Sequence, residues 1–321
     1  MMIMKTIKYL VIGALMLGFN APAVAQDNKA TIEQGSKLIK SNGSADAIKD
    51  IFKANKKNPE VLLGMGRAYF EVKDTANAAK YANLALARDK KYAKAYILLG
   101  DIAVVQDDGG KAAEWYQQAK YFDPKDPEGY FKYANILRGR SPEEAVANLN
   151  DLRQQRPDIA VDALAARIYY SSNLLEKSIN CYDNVADKSK LEDVDITNYA
   201  TGAWMLQKRD KSLEMAKYGL TRNARKAAWN RLAFYNLTDM NQTEEALKYA
   251  EALFTASDSA KISGFDYTYY GTALKNAKQY DKAIEMFQIA AKENKDNKEQ
   301  LNIARKNLAD GMVNILIGGK E

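Results

Sequence analysis

Histidine is missing from this chain altogether, and cysteine occurs once, at Cys181. The first absence removes the commonest general base and metal ligand. The second excludes an internal disulfide and any cysteine-based zinc site, so cystine pairing says nothing about compartment. Proline is scarce, at six residues in 321, and runs of β-branched residues are rare. Beyond the N-terminus no apolar run reaches the length needed to span a bilayer. What is present in abundance is Ala, Lys, Leu, Asn and Tyr, a composition that favours helices with polar outer faces. Hydrophobic residues make up 47% of the chain, enough for a sizeable core and too many for global disorder.

The N-terminus has its own pattern. Lys5 and Lys8 precede the apolar run at 10–19, followed by Pro22 and the small-x-small triplet Ala23-Val24-Ala25. This reads as a secretory signal peptide over residues 1–25, cleaved after Ala25, and the run is too short to cross a membrane. The expectation is an exported chain, periplasmic or secreted, with no transmembrane segment after cleavage. Loss of Lys5 and Lys8 lowers the formal charge from +6 to +4, and export makes nucleic acid an unsuitable partner.

The rest of the chain repeats. Small residues stand at Ala47, Ala78, Ala112, Ala145, Ser178, Ser212, Ala246 and Ala283, at intervals of 31, 34, 33, 33, 34, 34 and 37. The positions four and seven residues after each are apolar or small as well, which makes one helical stripe. Nine and twelve residues before each anchor lies a second such pair, usually with Gly or Ala first, as at Gly66, Gly100 and Gly271. Short polar turns separate the two stripes. Each unit is therefore a helical hairpin whose small residues let two helices approach to about 8–10 Å. Pro59, Pro124 and Pro157 stand twelve residues after three of the anchors, where proline ends a helix because it cannot continue one.

This pattern resembles the tetratricopeptide repeat. Residues 93–126 match best, with Tyr96, Leu99, Gly100, Ala112, Tyr116, Ala119 and Pro124 in place. The resemblance covers units near 28–58, 59–92, 93–126, 127–158, 159–192, 193–226, 227–263 and 264–297. The units at 193–226 and 227–263 match less well, and Phe234 fills a place that should be small. It implies an all-α fold: a right-handed superhelix, or α-solenoid, of about eight hairpins across 26–297. Residues 298–321 would form a capping helix and tail. The apolar tail Met312, Val313, Ile315, Leu316 and Ile317 reads as a cap on the last hairpin, with docking of a partner or a second copy as the alternative.

No catalytic set emerges. Asp107-Asp108 and Glu143-Glu144 fall where helix capping explains them. The run Glu192-Asp193-Val194-Asp195 lacks the spacing and glycine of a calcium loop. Cys181 has no base to activate it. Neither cofactor nor metal is expected. Asp74-Thr75-Ala76 and Asp258-Ser259-Ala260 resemble a short periplasmic O-glycosylation motif of some Bacteroidetes, which would make Thr75 and Ser259 acceptors.

The resemblance also implies where a partner binds: a concave groove lined by the first helix of each hairpin. Carried over position by position, that face holds Arg67, Phe70, Phe131, Arg138, Arg167, Tyr170, Trp204, Arg231 and Tyr235. Aromatics and arginines are the residue types enriched at binding hot spots. The function implied is a non-enzymatic scaffold or adaptor of the bacterial envelope that holds a peptide or protein segment, with an envelope complex as its setting. The alternative is a carbohydrate-handling protein or hydrolase accessory subunit framed by repeats. Charge reversal at Arg138 and Arg167 is expected to abolish partner binding and leave stability intact.

Overall fold

The computed structural model describes residues 21–295 and 298–318. Residues 1–20 of the expected leader lie outside them. Among the described residues the fold is all-α, and the one β feature is an isolated parallel bridge between Lys226 and Asp258. The first four pairs of helices are α1 (Ala21–Lys40) and α2 (Ala45–Asn55), α3 (Pro59–Glu71) and α4 (Thr75–Arg88), α5 (Ala93–Val105) and α6 (Gly109–Phe122), α7 (Pro127–Leu137) and α8 (Pro142–Gln155). The next four are α9 (Asp162–Ser171) and α10 (Leu175–Asp183), α11 (Asp193–Met205) and α12 (Arg209–Arg222), α13 (Ala227–Asp239) and α14 (Thr243–Glu251), α15 (Gly264–Asn276) and α16 (Tyr280–Glu293). α17 (Lys298–Gly318) follows.

The turns inside seven of the eight hairpins share one geometry, the exception being that between α7 and α8. The second residue after the first helix adopts a left-handed backbone at Asn42, Lys73, Asp107, Asn173, Gln207, Asn241 and Lys278. Its N–H and the next one then satisfy the helix's last carbonyls. Asp107 N–H reaches Val104 O at 3.0 Å and Asp108 N–H reaches Ala103 O at 2.9 Å. The same pair of bonds recurs at Lys73–Asp74 and at Lys278–Gln279. This is the closure that glycine usually supplies, made here with longer side chains. The second helix starts at once. Asp74 and Asp108 cap it by accepting from the N–H of Asn77 and Lys111.

The molecule divides into two compact units. One takes in the chain to Leu137 with Ala147–Pro157, and the other Arg138–Val146 and the chain from Asp158. In the first unit, the first and second helices meet over Gly100, where an added Cβ would lie 2.3 Å from the Tyr116 ring. Ala112 is fully buried in the same seam with Ile97 beside it, and Ala78, Ala82 and Ala85 are fully buried in a neighbouring one with Leu62 and Met65. In the second unit Gly271 holds the equivalent place, 2.5 Å from Phe287. Ser178 and Ser212, both fully buried, donate to Ala166 O and Ala200 O on the facing helix. A serine can therefore stand at the anchor position without leaving an orphan hydroxyl.

The second unit also contains the least regular hairpin. Phe234, at the position expected to be small, is fully buried with the rings of Tyr269 and Tyr270 edge-on to it. α14 passes into a single π-helical turn at Ala252–Ala256. The loop beyond it is tied back by Asp258, whose N–H reaches Arg225 O at 2.7 Å and whose carboxylate pairs with Arg225 at 2.8 Å. The longer interval from Ala246 to Ala283 is taken up in this loop. α17 packs on α16 through fully buried Ala304 and half-buried Leu308, which closes that hairpin. Met312 and Val313 are about half exposed, and the side chains of Ile315, Leu316 and Ile317 lie outside the described residues.

Candidate partner-binding faces

The first helices position every residue expected on the binding face except Arg138, which lies in the turn after α7. In the first unit, Arg67 on α3 is exposed, and Phe70 and Phe131 are half-buried on α3 and α7. Phe70 leans on the core of its own unit. Between them on α5, Asp101 accepts from Tyr116 OH and pairs with Lys132, both at 2.7 Å. The buried Tyr116 hydroxyl has its pKa raised, by burial first and then by this carboxylate.

In the second unit, Arg138 follows α7 and is exposed. Arg167 and Arg231 are not free. Arg167 makes two bonds, of 2.6 and 2.7 Å, to Asp195 of the next hairpin, whose side chain is only 1% exposed, and adds Glu192 at 2.9 Å. Arg231 does the same to the buried Asp266, at 2.6 and 3.2 Å. Each carboxylate also accepts a tyrosine hydroxyl, Tyr182 on Asp195 and Tyr235 on Asp266. Each closes a capping box at the start of its helix, with Glu192 and with Ser263. Burial alone would raise the Asp266 pKa, but Arg231, Tyr235 and the Ser263 N–H together hold it below the usual carboxylate value. These are two copies of one hairpin-to-hairpin clamp. The expectation that reversing Arg167 leaves stability intact is corrected accordingly: reversal would face a buried carboxylate with another carboxylate.

The aromatic residues of the second unit do come together. Tyr170 lies beside Gly202 of the next hairpin, and burial raises the pKa of its hydroxyl. Trp204 packs on Tyr235 at 5.8 Å, and Phe265 and Tyr269 extend the cluster, with Tyr269 stacked on Tyr235 at 4.1 Å. Arg209 lies over the Trp204 ring and pairs with Asp239 at 2.8 Å. The Trp204 Nε1–H is buried without an acceptor. Sequence reasoning named Trp204 and Tyr235 but missed Phe265, Tyr269 and the two buried aspartates. Ser263-Gly264-Phe265-Asp266 carries a capping signal that would have found the second of them.

Thr75 opens α4 behind the capping Asp74, and Ser259 is exposed with a left-handed backbone. Among the described residues there is no cluster of metal ligands, and no helix is long and apolar enough to cross a membrane.

Successive helical hairpins, seven of eight closed by one turn geometry and packed through buried small residues, define the class: a helical repeat with the tetratricopeptide fold. No family model matches the chain, and no curated protein does. Among solved structures it is similar to a tetratricopeptide repeat protein from Parabacteroides merdae, at 17% identity over 79% of this chain and 98% of that one, with a TM-score of 0.46. It is also similar to YrrB, described as a TPR protein with an unusual peptide-binding site, at 15% identity over 58% and 97% of the two chains, TM-score 0.45. A third is the pilF protein of Pseudomonas aeruginosa, at 14% identity over 76% and 95%, TM-score 0.34. The fold stands on the hairpins themselves, independently of these loose superpositions.

Proposed function

We propose that this chain is a non-enzymatic protein-binding scaffold, exported to the bacterial envelope, that holds a peptide or protein segment on the face of its first helices. The observation that carries the reading is the aromatic strip of the second unit. Tyr170, Trp204, Phe265 and Tyr269 remain partly exposed along three hairpins, on a helix face where a monomer without a partner would place polar residues. Rigid rings of this kind give a large contact area at little cost in conformational entropy. In the first unit, exposed Arg67 beside half-buried Phe70 is the counterpart. The lack of histidine supports a binding role over hydrolysis.

Export rests on the N-terminal pattern. Removal of residues 1–25 leaves Asn28 in place, whose side chain donates to Glu60 and accepts from Asn58, so processing preserves the seating of α1 on α3. The test is co-purification from the native envelope in mild detergent, comparing the natural chain with the double variant Tyr170→Ala, Trp204→Ala. A defined set of proteins lost from the variant is the expected result. An unchanged set moves the site elsewhere, and a recovered glycan favours the carbohydrate-handling alternative. N-terminal sequencing of the mature chain tests export: a start at Gln26 is expected, and retention of Met1 refutes it.

A further inference from the structure

A second surface lies away from the first-helix faces, on the loops that join one hairpin to the next in the first unit. Three contacts show that these loops form one ridge. Arg88 Nε donates to Lys56 O at 2.9 Å, which ties the second loop to the first. Tyr96, whose hydroxyl donates to Lys90 O, stacks on Phe122 at 5.4 Å, which ties the second to the third. Arg156 Nη1 donates to Lys125 O at 3.2 Å, which ties the fourth to the third.

The first two loops of the ridge are cationic. Lys56, Lys57, Lys90, Lys91, Lys94 and Lys125 are all exposed, and none has a carboxylate at ion-pair distance among the described residues. The acids in the same loops keep their charge: Asp123, Asp126 and Glu128 surround Lys125, so the positive excess is concentrated on the first two loops, where Arg88 and the other five lysines outnumber Glu60 and Asp89. Asp89, Asp123 and Asp126 accept from the N–H of Lys91, Lys125 and Glu128. From Gln26 onward the first unit holds 20 Lys and Arg against 16 Asp and Glu, and the second 25 against 25. The whole positive excess of the processed chain therefore falls in the unit that bears the ridge. Beside the lysines, Tyr121 is 78% exposed, with its ring against Phe122.

We propose that this ridge docks the protein on an anionic lipid surface. The two arginines of the ridge, Arg88 and Arg156, whose planar forks suit specific carboxylate recognition, are engaged by backbone carbonyls of the neighbouring loops. What faces out is a row of flexible ammonium groups, point charges suited to a diffuse field of headgroup phosphates. An exposed tyrosine at the edge of such a row is the side chain that settles at a membrane–water boundary. An acidic protein partner would be met by fixed bidentate pairs, which the ridge does not offer.

The experiment is flotation of the processed full chain with vesicles of phosphatidylcholine containing about a third phosphatidylglycerol, against pure phosphatidylcholine, with soluble polyglutamate as competitor. Binding to the anionic vesicles alone is expected, weakening steeply as salt rises from about 0.1 to about 0.5 M. Lys56→Glu, Lys57→Glu, Lys90→Glu, Lys91→Glu in one chain should weaken it at least about 10-fold with circular dichroism and Tm unchanged. Lys261→Glu, Lys278→Glu, Lys282→Glu, Lys292→Glu, an equal charge change on exposed sites of the second unit, should leave at least half of it. Equal loss in both variants, equal binding to both vesicles, or tighter binding to polyglutamate than to lipid would each overturn the proposal.

Discussion

Asp266→Asn removes the charge at the centre of the better-shielded clamp and keeps its shape. The native carboxylate is fully buried and receives two bonds from Arg231, one from Tyr235 and two from the N–H and hydroxyl of Ser263. The amide can accept on one side only; its NH2 turns toward groups that are themselves donors. Removing one partner of a buried pair costs about 3–5 kcal/mol. The Arg231 side chain is 28% exposed, so it can turn toward water, which places the loss at the lower end, about 3 kcal/mol. At a urea slope of about 2–3 kcal/mol/M this moves the midpoint down by about 1–1.5 M. The assay is urea unfolding followed by tryptophan fluorescence in a Trp115→Phe background, which leaves Trp204 and Trp229, both in the second unit, as reporters. Arg231→Met and the double variant complete a cycle, with a coupling of about 1.5–3 kcal/mol expected. A loss below about 0.5 kcal/mol for Asp266→Asn, or a coupling near zero, would refute the claim that the clamp holds neighbouring hairpins together.

Four further outcomes follow from the same geometry. Arg167→Glu should destabilise by at least about 3 kcal/mol, whereas Arg67→Glu and Arg138→Glu, both exposed, should change stability by less than about 0.5 kcal/mol; thermal melts separate the two groups. Because the Asp266 pKa is depressed, its contribution is present above the unfolded value of about 3.9 and is lost as pH falls through the folded value. A pH series of midpoints should thus show an acid loss below about pH 4 that Asp266→Asn reduces, the remainder coming from other depressed carboxylates such as Asp183. Gly100→Ala should cost about 1–3 kcal/mol in chemical denaturation, because the Tyr116 ring occupies the space a methyl needs. Lys278→Gly should raise stability by up to about 1 kcal/mol, since it relieves a left-handed backbone; a drop in Tm would contradict the strain assigned to that turn.

The hairpins were legible because their signal is a spacing. Ala78, Ala112, Ser178, Ser212 and Ala283 are fully buried where the period placed them, since a helix seam only about 8–10 Å wide tolerates nothing larger. The clamps were not legible. Arg167 and Asp195 are 28 residues apart and Arg231 and Asp266 are 35 apart, so no single spacing announces them. A sequence also cannot tell an arginine that faces solvent from one that reaches the next hairpin. Phe234 shows a different limit: a small-residue rule expects a clash, and the structure avoids it with a hairpin whose second helix ends in a π turn and a longer loop. The aromatic strip was half legible, because Trp204 and Tyr235 occupy repeat positions while Phe265 and Tyr269 lie off them.

The arginines at the ends of second helices bear on how such a chain grows. Arg88 bonds the carbonyl of Lys56, Arg156 that of Lys125 and Arg222 that of Leu191, reaching back 32, 31 and 31 residues. Each tie spans close to one repeat. A gene segment one period long therefore carries donor and acceptor in the right phase wherever it is inserted, and a duplicated hairpin arrives with the fastening for its predecessor already in place.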